Sequence, residues 1–230
     1  MKPARGSLQQ ILRRELKRAA DPEKARAMQA YMKSAMPYFG VTTVPLRAIC
    51  KRVFAAHPLP DAESWQKQCL TIWRDATYRE ERYAAIELTG HRFYRQFQTR
   101  ATLPMYEEMI VAGAWWDLVD VIASRRLGPL LRWDPRFMRA KMLVWSRSSN
   151  LWKRRSAILC QLSFKNETDL PLLYACIEPS LDSPEFFLRK AIGWALRQYA
   201  WTDPGEIQRY VREHAGRLSA LSQREALKNQ

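Results

Sequence analysis

The chain has 230 residues, enough for one large domain or a repeat array and short of two complete domains. Its 38 Lys and Arg against 23 Asp and Glu leave a net charge of +15, while 47% hydrophobic and 11% aromatic residues exclude a disordered basic tail. A folded surface with that excess suits a polyanionic partner, nucleic acid first and an acidic membrane second.

The N-terminal stretch 1–20 has adjacent Arg13 and Arg14 but no apolar segment behind them, and Glu15 and Asp21 argue against a transit peptide, so it is read as a first helix. Asp21-Pro22 opens the next helix, with Ala25, Met28 and Met32 on one stripe. Asp61 opens another with Trp65, Cys69, Ile72 and Trp73, and Leu103-Pro104 begins a further one. Asp134-Pro135 starts a helix with Phe137, Met138, Met142 and Trp145, and Asn150, Thr168, Ser183-Pro184 and Asp203-Pro204 repeat the device. β-Branched residues are sparse beside Leu and Ala, and no Asn-Gly or Asp-Gly turn divides alternating segments, so the class is all-α.

Short connections make successive helices antiparallel neighbours, and the starts at Leu103, Asp134, Thr168 and Asp203 recur every 31 to 35 residues. A helical hairpin of that size cannot bury its apolar face alone. Two architectures remain: a curved solenoid of antiparallel helical pairs with a concave groove, and a compact irregular bundle. Nothing resembles a linker, so one domain over 1–230 is expected. The longest local apolar stretch, Val111 to Trp116, is stopped by Asp117, well short of a membrane span. Cys50, Cys69, Cys160 and Cys176 form no CxxC pair and lack metal-ligand spacing to His57, His91 or His214; buried thiols of a reduced cytoplasm are expected, with no zinc and no disulfide frame.

Three features resist a purely structural role. Helical spacing sets Trp116, Asp120 and Ser124 on one face, with the acid amid Leu118, Val119, Val121 and Ile122. It is a solvated polar stripe, a buried ion pair with an arginine of the next helix, or a functional carboxylate. Lys190, Trp194 and Arg197 stand at i, i+4 and i+7, which suits an indole between phosphate-binding cations, or a core tryptophan with snorkelling neighbours. Gly193 beside them implies a close approach of another segment. Arg155, after the Asn150 cap, falls toward the Leu151, Ile158 and Leu162 side, with Lys153 and Arg154 expected outward. Tyr31 by itself reads as a core residue.

Ala112-Gly113-Ala114-Trp115-Trp116-Asp117-Leu118-Val119-Asp120, Trp152-Lys153-Arg154-Arg155-Ser156-Ala157-Ile158-Leu159-Cys160-Gln161-Leu162 and Glu185-Phe186-Phe187-Leu188-Arg189-Lys190-Ala191-Ile192-Gly193-Trp194-Ala195-Leu196-Arg197-Gln198-Tyr199-Ala200 together resemble the AlkD family of HEAT-repeat DNA glycosylases. The resemblance extends from Asp21-Pro22-Glu23-Lys24-Ala25 and Tyr31-Met32-Lys33 to Leu221-Ser222-Gln223-Arg224-Glu225-Ala226-Leu227-Lys228. It implies a curved right-handed array of HEAT-like helical pairs that holds duplex DNA in its concave face and excises N3- and N7-alkylated purines, without metal or cofactor. The family's catalytic aspartate falls on Asp120, its cleft tryptophans on Trp116 and Trp194, its DNA-contacting arginine on Arg155 and its cleft tyrosine on Tyr31. Lys190 and Arg197 join them as expected DNA contacts. A monomer in the bacterial cytosol or nucleoid, away from membranes, is the corresponding expectation. The first 20 residues and the charge-rich Lys153-Arg154 depart from the family pattern.

The chemistry agrees with these residue types. Breaking an N-glycosidic bond builds positive charge on the sugar, which a fixed carboxylate in a poorly solvated site stabilises while orienting water. Indole faces attract that cation. An alkylated purine is already a cationic leaving group, so no general acid is needed. The alternatives are a non-catalytic HEAT-like protein that binds DNA structures and a helical scaffold for an acidic protein.

Overall fold

In a computed structural model, residues 6–228 are described; no strand occurs among them, and the chain is all-α as its periodicity requires. It forms two compact units, Met1–Gln98 and Thr99–Gln230.

The first unit contains α1 (Leu8–Arg18), α2 (Pro22–Met32), α3 (Thr43–Ala56), α4 (Ala62–Arg74) and α5 (Arg79–Thr89). The expected first helix starts at a capping box between Ser7 and Gln10; the first five residues of that stretch lie outside the described residues. Asp21 accepts the amides of Glu23 and Lys24, and Pro22 supplies the first helical position of α2. Asp61 caps α4, which buries Trp65, Cys69, Ile72 and Trp73 as its spacing predicts. α1 packs on α3, α4 and α5, and α5 packs on α3 and α4. Periodicity does not reveal the device that holds the chain between α2 and α3. The fully buried Glu80 carboxylate accepts the amides of Phe39, Gly40 and Val41 at 3.0, 2.8 and 3.0 Å. Gly40 has φ +86°, and a Cβ there would fall 2.0 Å from the Asp21 carbonyl oxygen, so only glycine fits.

The second unit contains α6 (Leu103–Gly113), α7 (Trp116–Ile122), α8 (Gly128–Trp133), α9 (Pro135–Ser146), α10 (Leu151–Leu159), α11 (Leu170–Ile177), α12 (Phe186–Ala200), α13 (Pro204–Glu213) and α14 (Ala220–Ala226). A π-helical turn over Ala123–Leu127 joins α7 to α8. α10 is the hub, packing against α6, α7, α9, α11 and α12, while α12 also meets α13 and α14. Asp134, Asn150 and Asp203 cap α9, α10 and α13 as expected.

Two helix starts move. α11 is capped by Asp169, because the Thr168 hydroxyl donates to the Lys165 carbonyl and closes the preceding turn. α12 begins after Glu185, because Ser183 takes the Glu185 amide in an extended segment before the helix. Phe137 is also on the outside of α9, above the Arg100 guanidinium, while Met138, Met142 and Trp145 are buried.

The close approach expected at Gly193 is present. A Cβ there would lie 2.5 Å from Glu225 Cβ and 2.9 Å from the Ser222 carbonyl oxygen, so α14 rests directly on α12. Ser222 Oγ secures it by donating to the Arg189 carbonyl at 3.0 Å. All four cysteines are buried with free thiols. No helix among the described residues is long and apolar enough to cross a membrane.

Candidate active site

Ala114 adopts the left-handed conformation at the end of α6, φ 42°, and turns the chain so that Trp115 takes the extended position preceding α7. Trp116 and Asp120 then stand one turn apart on α7, the indole partly exposed and the acid 8% exposed. Ser124 Oγ donates to the Asp120 carbonyl at 2.7 Å where the π-helical turn begins.

The Asp120 carboxylate is held at both oxygens by Arg155 of α10. Nε donates to Oδ1 at 2.7 Å and Nη2 to Oδ2 at 2.8 Å, a bidentate charge-assisted pair. Arg155 Nη1 donates to the Phe187 carbonyl in the first turn of α12. One guanidinium thereby ties α7, α10 and α12 together. Of the three roles the spacing left open for Asp120, a buried ion pair is realised, with an arginine of α10 in place of the next helix, and a pair can also be functional. Arg155 does lie on the apolar side of its helix, but at 4% exposure and with these partners it is an internal anchor of Asp120, not a free phosphate ligand. Burial pushes the Asp120 carboxyl above its ordinary value, the hydrogen bonds and charge of Arg155 pull it back, and Asp117 adds a smaller upward push.

The Phe187 ring beside Arg155 belongs to a cluster of aromatic rings. Trp115 lies 5.4 Å from Phe187 and 6.3 Å from Trp152, and Trp152 lies 5.1 Å from Phe187, ring centre to ring centre. The Arg155 guanidinium is 5.9 Å from the Phe187 ring. Excluding water here strengthens every charge interaction inside.

Helical spacing places Phe187, Lys190, Trp194 and Arg197 along one side of α12. Trp194 is partly buried at the edge of the apolar core. Its two cationic neighbours are not free. Lys190 Nζ and Arg197 Nη1 donate to the two oxygens of Glu225 at 2.8 and 2.5 Å. The hydrogen bond from Lys190, then that from Arg197, hold the Glu225 carboxyl below the usual range despite its partial burial. The spacing suggested two phosphate contacts; α14, landing on the Gly193 stripe, converts them into a three-membered bridge with one uncompensated positive charge.

Lys153 and Arg154 are likewise not outward. Lys153 pairs with Glu107 at 2.6 Å near the Trp145 ring, and Arg154 donates to the Pro179 carbonyl and to Ser180. Tyr31, on α2 of the first unit, is 77% exposed, so it is not the core residue that its position alone suggested.

Sequence reasoning missed the Phe187 carbonyl, the aromatic cluster and the pairing of Glu225. A backbone acceptor leaves no signature in residue identity. Glu225 was visible as the acid of the Leu221–Lys228 segment, but its partners were not.

A family model described as DNA alkylation repair enzyme matches residues 12–229. No curated protein matches the chain. Among solved structures, one described as a predicted DNA alkylation repair enzyme from Enterococcus faecalis is similar at 30% identity, covering 91% of this chain and 96% of that one, with a TM-score of 0.82. A match that runs through both units, with a like fold over nearly the whole length, shows that the chain belongs to the DNA alkylation repair enzyme family.

Proposed function

We propose that the chain is a monofunctional DNA glycosylase that hydrolyses the N-glycosidic bond of N3- and N7-alkylated purines in duplex DNA, acting as one domain and as a monomer. The observation that carries this reading is the Asp120 carboxylate, buried, fixed at both oxygens by Arg155 and one helical turn from the partly exposed Trp116.

As the bond between sugar C1′ and the purine nitrogen breaks, its electron pair passes to the base, whose positive charge is thereby neutralised. Water adds to C1′ and loses a proton, leaving an abasic site. Asp120 stabilises the cationic sugar and orients that water. Arg155 holds Asp120 ionised against burial and fixes the direction of its oxygens. Trp116 and Trp194 present π faces to the cationic sugar and lesion, each worth about 0.5 to 2 kcal/mol depending on desolvation. Tyr31 contacts DNA from the first unit. Lys190 and Arg197 contribute the one charge that Glu225 leaves uncompensated.

Incubation with methylated duplex DNA is expected to release N7-methylguanine and N3-methyladenine and to leave abasic sites. Duplex binding without release would support the non-catalytic binder and overturn the proposal.

The acid side of the pH profile supplies a sharper check. The active carboxylate is the ionised form, and burial raises its pKa above the ordinary carboxylate value. Activity is therefore expected to be full above that raised value and to be lost through one protonation as pH falls across it. After subtraction of spontaneous depurination, an acid limb that persists unchanged in Asp120→Asn rules out Asp120 as its source.

A further inference from the structure

Trp201 is 70% exposed, an unusual place for the largest apolar side chain in a protein with an ample core. It follows directly on α12 with helical backbone angles, φ −66° and ψ −18°, so the spacing of the helix carries through to it. At 100° per residue, Trp201 falls in azimuth between Lys190 and Trp194. It stands two turns beyond Trp194, about 10 Å along the axis, with Arg197 between the two indoles. The stripe begins at Phe187, whose carbonyl binds the arginine that holds Asp120.

The position is also stiff. The amides of Thr202 and Asp203 both donate to the Tyr199 carbonyl, at 2.7 and 3.0 Å, and Asp203 then caps α13. An indole on a fixed turn loses little freedom on binding.

We propose that Trp201 is a second DNA-contacting indole, packing on a nucleotide about three base steps along the strand from the one at Trp194. This extends the site along α12, and it rests on the glycosylase reading for its partner. Three observations select DNA as the occupant. The chain carries +15 overall. Arg197, one helical turn before Trp201, belongs to the Lys190–Arg197–Glu225 bridge, whose three charges sum to one positive charge. The stripe is continuous with the elements that support Asp120. A flat exposed ring with an arginine one turn away suits stacking on base or sugar without regard to sequence. A spacing of 10 Å matches about three steps of 3.4 Å along one strand.

The test uses the full chain, Trp201→Ala and Trp201→Phe, and an undamaged duplex longer than one helical turn. Trp201→Ala is expected to weaken duplex affinity roughly five- to tenfold, toward the lower end of a stacking contact. Trp201→Phe is expected to recover most of the loss, and the slope of affinity against salt is expected to stay the same, since an indole displaces no counterion. The emission difference between wild type and Trp201→Phe isolates this indole. It is expected to be readily quenched by acrylamide in the free protein and shielded when duplex is added.

Wild-type affinity in the Ala variant, or quenching equal with and without duplex, overturns the assignment. Because the readouts use undamaged DNA, absence of base release from methylated DNA would overturn the catalytic reading separately from this one.

Discussion

Asp120→Asn is expected to slow single-turnover release of N7-methylguanine by roughly a hundredfold to a thousandfold, the effect of deleting one preorganised electrostatic group. The substitution keeps the shape and discards the charge. That charge matters most when the sugar turns cationic, whereas intact DNA is anionic and is mildly repelled by it, so duplex affinity is expected to be equal or slightly higher. Asn retains one acceptor for Arg155 in place of two and leaves the guanidinium uncompensated in a site that is nearly dry. A drop in melting temperature should therefore accompany the drop in rate, and the rate must be measured where the variant is folded and fully bound to DNA. Equal rates in the two proteins would remove the catalytic assignment and favour the non-enzymatic binder. A neutral, poor leaving group is expected to be processed badly even by the intact protein, because the proposed mechanism uses no general acid.

The all-α class was legible because apolar residues recur at helical spacing and several helices carry their own start signal. Asp21, Asp61, Asp134, Asn150 and Asp203 accept the first-turn amides that would otherwise lack partners, a local effect that identity and spacing reveal. Gly193 was legible for a related reason, since a glycine inside a strong helix carries a penalty that a close contact explains. Long-range pairing was not legible. Lys190 and Arg197 look identical in sequence whether they face phosphate or Glu225, because the difference depends on where α14 lands, 28 residues or more along the chain. Glu80 is the same case in the first unit: an acid in an unremarkable helical run gathers three amides more than 38 residues away. The Asp120–Arg155 pair lay between these extremes. The spacing flagged each residue as odd, and the possibility of an ion pair was on view, but a bidentate geometry with a third link to the Phe187 carbonyl needs three helices in place.

That geometry makes Arg155 the other position with a large expected effect, and it changes what the effect should look like. As a phosphate contact, Arg155→Ala would weaken duplex binding uniformly and leave the pH dependence alone. As the anchor of Asp120, it acts on the carboxylate itself. Arg155 lowers the Asp120 pKa and burial raises it, so removing the guanidinium leaves desolvation unopposed and moves the pKa further up. At neutral pH a larger share of Asp120 is then protonated and inactive. The acid limb of base release is expected to shift to higher pH, with part of the lost rate regained as pH rises. Truncating one member of a buried pair also destabilises by roughly 3 to 5 kcal/mol, since the remaining charge is desolvated and unpaired. Here protonation of Asp120 relieves part of that penalty, so the Ala variant is expected to lose more stability at neutral than at mildly acidic pH. Arg155→Lys offers a point charge without the fork that spans both oxygens, and should fall between wild type and Ala in rate and in the position of the limb. The measurement is the single-turnover rate against pH for the three proteins with all DNA bound, beside their melting temperatures. If the limb stays in place while duplex affinity drops, Arg155 serves the phosphates and its grip on Asp120 is released when DNA binds.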